Sequence, residues 1–226
     1  MEKSDGTDCS NGYINNSVME ILLSSAYLPP VQHFAHLLNA KQVWTEQYDH
    51  YQKQTYRNRC VIAAPDGPLP LTIPIEKPDT PKALMRDIRI SDHGNWRHMH
   101  WNAIESAYNH TPFFEFYKDD FRPFYEQKID FLMDYNEGLF QLVCQLIDID
   151  ITSKRTDAYL TEPAQGVTDL RHLVQPKRGV DDALFMATPY YQVFQEKLGF
   201  LPNLSIIDLL FNMGPESILV LQKCLI

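Results

Sequence analysis

Three short stretches of this chain concentrate side chains that can do chemistry. The first is Pro30-Val31-Gln32-His33-Phe34-Ala35-His36-Leu37, with two histidines three residues apart just beyond a pair of prolines. At a helix start, His33 and His36 would stand beside free backbone N–H groups where the dipole favours a phosphate, so both are candidate phosphate ligands. The same spacing arises on any amphipathic helix, where the two rings would be plain half-buried polar groups. The second stretch is basic and aromatic: Tyr51, Lys53, Tyr56, Arg57, Asn58 and Arg59 lead directly into an apolar run. Arg grips phosphate or carboxylate through parallel hydrogen bonds and Tyr stacks on a sugar or base, so Tyr51, Lys53, Arg57, Asn58 and Arg59 are candidate substrate-binding residues. The plainer reading is a solvated loop ion-paired to the many acids. The third is Ser91-Asp92-His93-Gly94-Asn95-Trp96-Arg97-His98-Met99-His100. Here Asp92 and His93 are candidate catalytic residues, either able to act as general base, with Asn95 beside them to bind substrate. The alternative is an N-cap at Ser91 or Asp92 followed by an exposed basic turn. Arg57 and Arg59, two apart on an extended approach, are expected to share one side of the chain and to converge with Asn95 on a single anion pocket.

No metal site is expected. His98 and His100 point roughly 200° apart on a helix and cannot share an ion. Cys9, Cys60, Cys144 and Cys224 make no C-x-x-C pair and read as free thiols. Nor does any cofactor signature stand in the chain: there is no G-x-G-x-x-G, P-loop, G-x-S-x-G or H-E-x-x-H, so the cofactor stays unknown. The formal net charge of −9 gives none of the long-range attraction a general nucleic-acid binder uses. The start of the chain lacks a signal-peptide core and no apolar run approaches a membrane span, so a cytoplasmic protein is expected. Oligomeric state is not written in these features.

The elements that must hold these groups read as α/β. Met1–Ser17 is polar and is expected to be a flexible tail, followed by one domain over 18–226. Val18–Ser25 is apolar at strand length, a helix is expected over Val31–Asn39, and Gln42–Glu46 reads as a second strand, which together make a βαβ unit. Cys60–Ala64 and Leu69–Ile75 flank an Asp-Gly turn and form a hairpin, Pro70 and Pro74 marking an edge strand. That hairpin is expected to extend the parallel core into a mixed sheet. Helices dominate beyond, over Asn95–Tyr108, with Trp96, Met99, Ala103 and Ala107 aligned, after Thr111-Pro112, and over Phe131–Leu146. Ile147–Ile151 reads as a strand with Asp148 and Asp150 exposed. Thr152–Pro189 carries no readable pattern and reads as either a lid-like insertion or a partly mobile segment. Ser205-Ile206-Ile207-Asp208 fits a capping box, with the helix ending near Gly214.

Two resemblances bear on function. Pro30 to Leu37 looks like the strand–loop–His-x-Gly-His arrangement of nucleotidylyltransferases, with Ala35 where those enzymes have glycine. More of the chain resembles the WbqC-like family: Tyr27-Leu28-Pro29-Pro30-Val31-Gln32-His33-Phe34, the stretch Tyr51 to Arg59 with Asp92-His93-Gly94-Asn95-Trp96, and Phe200-Leu201-Pro202-Asn203-Leu204-Ser205-Ile206-Ile207-Asp208-Leu209-Leu210-Phe211. This resemblance covers about residues 20 to 216. It implies a bacterial protein of O-antigen or other surface-polysaccharide biosynthesis, and a transferase acting on a phosphorylated or nucleotide-linked sugar, with glycine transfer to a sugar one form of it. Many members carry Gln-Pro and a Gly near the first helix, where this chain has Ser24-Ser25 and Gln32. Three readings therefore stand: a transferase, a nucleotidylyltransferase-like enzyme using His33 and His36, and a non-catalytic sugar or nucleotide binding or assembly protein.

Overall fold

The computed structural model describes residues 19–176 and 182–226. The expected tail over 1–17, and Cys9 with it, lies outside the described residues. Strand β1 (Met19–Ser24) is the apolar run, and Ile21, Leu22 and Leu23 are buried on both faces as a central strand requires. Beyond Pro30 comes helix α1 (Val31–Ala35), which tightens into a 3-10 turn over His36–Asn39 and delivers the chain to β2 (Ala40–Glu46). β1 and β2 run parallel, with Ile21 opposite Val43 and Ser24 opposite Glu46.

The segment without a readable pattern completes this sheet. β5 (Ser153–Arg155) pairs in parallel with β2, and β6 (Val167–Asp169) with β1, giving the order β5-β2-β1-β6. Both outer strands are three residues long and largely polar. An edge strand that short has no alternation for a pattern to show, which is why a lid-like or partly mobile segment was the expectation there.

Strands β3 (Arg59–Ala64) and β4 (Gly67–Thr72) form the expected hairpin, with Cys60 opposite Leu71 and Ile62 opposite Leu69. Gly67 supplies φ 122° at the turn. The α/β architecture stands, but the hairpin pairs as a two-stranded sheet of its own. Val61 carbonyl is taken by the Ser205 N–H at 2.8 Å, so that flank of β3 meets a loop instead of the parallel sheet.

Helices α2 (Trp96–Tyr108), α3 (Phe114–Glu126), α4 (Leu132–Leu146), α5 (Gln195–Leu198), α6 (Ile206–Met213) and α7 (Ser217–Lys223) make the second half predominantly helical. The buried arc of α2 is Trp96, His100, Trp101, Ile104, Ala107 and Tyr108, so Trp96 and Ala107 of the expected stripe face inward while Met99 is 63% exposed. Packing against both α3 and β3 turns the helix away from the expected Met99–Ala103 stripe. Residues 147–151 turn instead of extending, Asp148 taking φ 60°. The capping box also fails to form. Ser205 Oγ donates to the Leu28 carbonyl at 2.7 Å, and Asp208 turns inward to accept from Tyr108, Tyr190 and Gln192. A buried carboxylate takes side-chain donors in preference to a helix end that other groups already serve. Phe211 of α6 sits among Phe114, Phe121 and Tyr108 at the centre of the helical core. Among the described residues no helix is long and apolar enough to cross a membrane.

Candidate functional site at the carboxyl edge of the parallel sheet

In an open α/β sheet, ligands bind beyond the carboxyl ends of the strands, where neighbouring connections depart in opposite directions. β1 is such a point, since β2 lies on one side of it and β6 on the other. Ser24, Ser25 and Ala26 leave the end of β1 there, beside Thr45 of β2 and Ser153 of β5. His33 of α1 and Met133, Asn136, Glu137 and Phe140 of α4 close the space into a cavity of about 20 Å³, room for a single water.

A polar network built on Arg57 adjoins this cavity: Ser24, Ser25 and Asn136 line it, and Arg57 and Asp49 lie behind them. Arg57 Nη2 donates to Ser24 Oγ at 3.2 Å and is ion-paired with Asp49, and Ser24 Oγ in turn donates to Asp49 at 2.8 Å. Only 3% of the Arg57 side chain is exposed, and its Nε and Nη1 are buried with no partner. Asn136 Nδ2 donates to both Ser25 Oγ and the Arg57 carbonyl at 2.9 Å, while Asn136 Oδ1 is buried and unpartnered. Buried polar groups are nearly always satisfied, so three orphan atoms on two neighbouring residues mark a place where a ligand or water belongs. At the rim, Arg155 ties Asp134 at 2.6 Å and Glu137 at 2.9 Å. Glu46, fully buried at the end of β2, is saturated by Tyr48 N–H, Thr156 Oγ1 and Leu160 N–H and serves the framework.

The two histidines have different surroundings. His33 lines the cavity against Phe140, and burial pushes its imidazole down to about 3, with His36 adding to the effect, so the ring is neutral near pH 7. His36 Nε2 is engaged with Asp182 Oδ2 at 2.7 Å, the same oxygen that Gln32 Nε2 holds at 2.7 Å. One ring faces the cavity and the other anchors a loop.

The remaining sequence candidates fall in two places. Tyr51 is half-buried; burial raises its hydroxyl, while the nearby Arg57 and Arg59 pull the other way. Lys53 is exposed on a turn. Asn58 is buried and donates to the Ile73 carbonyl at 2.7 Å, tying the start of β3 to the end of β4. Arg59 reaches across the hairpin to Thr72 Oγ1 at 3.0 Å. Residues 56 and 57 form a turn, so strand alternation starts only at Arg59. Arg57 therefore turns inward as Arg59 lies along the hairpin. Asp92, His93 and Asn95 are exposed at the start of α2. Asp92 pairs with Arg97 at 2.7 Å and Lys128 at 2.8 Å, and Lys128 first and then Arg97 hold its carboxyl below the ordinary range. Asn95 lines a different depression, which shares no lining residue with the sheet-edge cavity.

Sequence reasoning did not reach Ser24, Ser25, Asp49, Asn136 and Glu137 as site residues. The one available signal was Asn136, an amide on the stripe where Met133, Leu139 and Val143 set an apolar period. Cys60, Cys144 and Cys224 are free and buried. Among the described residues no group of His, Cys, Asp and Glu is arranged to hold a metal ion.

Comparison with known proteins adds a family but no reaction. An uncharacterized protein of Mycobacterium tuberculosis (strain H37Rv) is 27% identical over 198 residues, covering 77% of this chain and 84% of the relative. No solved structure matches the chain. The family match runs over residues 24–179, which takes in the sheet-edge site and the stretch from Tyr51 to Trp96 but not Phe200 to Phe211. Since that match spans well over half its length, the chain belongs to the WbqC-like protein family.

Proposed function

We propose that this protein is a transferase of bacterial surface-polysaccharide biosynthesis, O-antigen biosynthesis among them, and that it takes the anionic group of a phosphorylated or nucleotide-linked sugar at the carboxyl edge of the parallel sheet. The observation that carries the reading is Arg57, a buried guanidinium with Nε and Nη1 unpartnered, bonded to Ser24 at the end of the central strand. An oxyanion reaching those nitrogens would make charge-assisted bonds in a site with little competing water. Asn136 would orient the bound group through Ser25. The cavity has room for a single water, so neither a sugar ring nor a phosphoryl group enters it unless lining side chains move aside. His33, neutral and weakly basic, suits hydrogen bonding to substrate more than storing a proton, because a general base works best near the operating pH. Glycine is the acyl group to try first, on the family resemblance.

Incubating the full chain with nucleotide sugars, glycine and ATP, read by mass spectrometry, tests this. The expected result is a mass-shifted sugar product with wild type, reduced at least tenfold in Arg57→Lys, which keeps the charge and loses the fork. Binding without turnover would favour the sugar- or nucleotide-binding module instead. Release of pyrophosphate without acyl transfer would favour nucleotidyl transfer, a reading that the separate engagements of His33 and His36 do not support.

A further inference from the structure

We propose that the depression between the start of α2 and the end of α3 is a second anion site, one that takes the phosphate monoester of a small molecule. It goes beyond the transferase reading and depends on none of its residues. The depression has a volume of about 390 Å³, within the range of small-molecule pockets. Its floor is Trp101 and Tyr125, rings 5.5 Å apart and each more than nine-tenths buried. Asp92, Asn95, Arg97, His98, Arg122 and Glu126 stand around it.

Arg97 is the centre of the argument. Its guanidinium lies 4.7 Å from the centroid of the Trp96 ring, and only Nη1 is bonded, to Asp92 at 2.7 Å. Nε and Nη2, the two nitrogens of one edge, are buried without partners, as is Trp96 Nε1. That edge matches two oxygens of a phosphate through parallel bonds. Those two nitrogens carry no exposed surface and Trp96 is not a lining residue, so the side chain, 15% exposed at the rim, must rotate to present that edge to the depression. Asp92 is not stranded when it does, because Lys128 still holds the other oxygen at 2.8 Å. Arg122 lines the depression too, and its bond to Glu126 uses only Nε. Its pairing with Glu126 at 2.6 Å joins two side chains that are both more than half exposed, a kind of contact that contributes little. The acids of the rim are thus already neutralised, and the orphan donors favour an anion.

The test uses the isotope-labelled full chain and follows its three tryptophan indole resonances, from Trp44, Trp96 and Trp101, while inorganic phosphate or glucose 1-phosphate is added. Saturable shifts of Trp96 and Trp101 are expected at millimolar ligand or below. Arg97→Gln and Arg122→Gln should each weaken apparent affinity about tenfold. Arg57→Lys should leave it unchanged, which separates this site from the sheet edge. Shifts that chloride reproduces at equal ionic strength, or affinities indifferent to both Arg97 and Arg122, would overturn the proposal.

Discussion

Arg57 carries opposite demands, and they set what its replacement does. The guanidinium is sealed from water, its ion pair with Asp49 is mostly buried, and two of its nitrogens lack partners. Truncation leaves the Asp49 carboxyl beside Ser24 without its ion-pair partner. Arg57→Ala is therefore expected to destabilise the fold by about 3–5 kcal/mol, seen as a lower urea midpoint. Arg57→Lys should lose much less, so a stable Lys variant with impaired ligand binding assigns the residue to function. His33 gives a second reading of the same cavity. Its folded value of about 3 lies below the ordinary 6.5, so the unfolded chain binds the proton first. Its contribution is complete above pH 6.5 and is lost as pH falls toward 3, by about 3–5 kcal/mol in all. His33→Gln should flatten the fall in stability across that window, measured by urea titrations at several pH values. Part of the slope will remain, because burial also lowers His100, to about 4. A variant as pH-sensitive as wild type would show that His33 is not sealed. At this scale the sequence told the residue types and not their partners. Arg57 was legible as a candidate anion ligand, but its pairing with Ser24 and Asp49 depends on a turn at 56–57 that no periodicity announces.

Elements were legible in proportion to their length and apolar content. β1, the hairpin, α2 and α4 declare themselves through runs and periods, whereas β5 and β6 are three residues each and are defined by β2 and β1 beside them. Half the strands that frame the site thus come from the segment that resisted reading. The capping motif at Ser205 misleads for a related reason: its residue types were right, but Leu28 and a cluster of phenols compete for the same groups. The end of α6 is legible and can be tested sharply. Gly214 has φ 53°, and a Cβ there would stand 2.4 Å from the Phe113 ring. Gly214→Ala should cost roughly 2–4 kcal/mol, adding left-handed strain to a ring clash. Gly138→Ala is the contrast. Its added Cβ would meet the edge of the Phe124 ring at 2.8 Å, the far end of a half-buried side chain, and α4 gains a better helix former. The expected change is within about 1 kcal/mol. Denaturant midpoints for the two variants that coincided would show that neither backbone strain nor the Phe113 contact shapes the α6–α7 junction.

For the whole molecule, charge and site pull in different directions. The net charge is −9, yet both candidate anion sites rest on arginines. Each of those arginines is matched at close range: Arg57 by Asp49, Arg97 by Asp92, Arg122 by Glu126. From a distance the sites therefore look nearly neutral, and an approaching sugar phosphate meets the repulsion of the whole surface. Salt screens that repulsion first, because it acts over longer distances than the contacts formed on arrival. Between about 10 mM and 150 mM salt the Debye length shrinks from roughly 30 Å to 8 Å, short enough to hide most of the molecule from the ligand. The association rate of a phosphorylated sugar should accordingly rise with salt over this range, by roughly two- to fivefold, while dissociation from the buried contacts changes little. A protein that draws in anions through a positive field does the reverse. Stopped-flow tryptophan fluorescence at constant pH measures both rates. An association rate that fell as salt was added would mean that the arginines present an unneutralised field to solvent, and that the pairings holding them in the free protein do not persist.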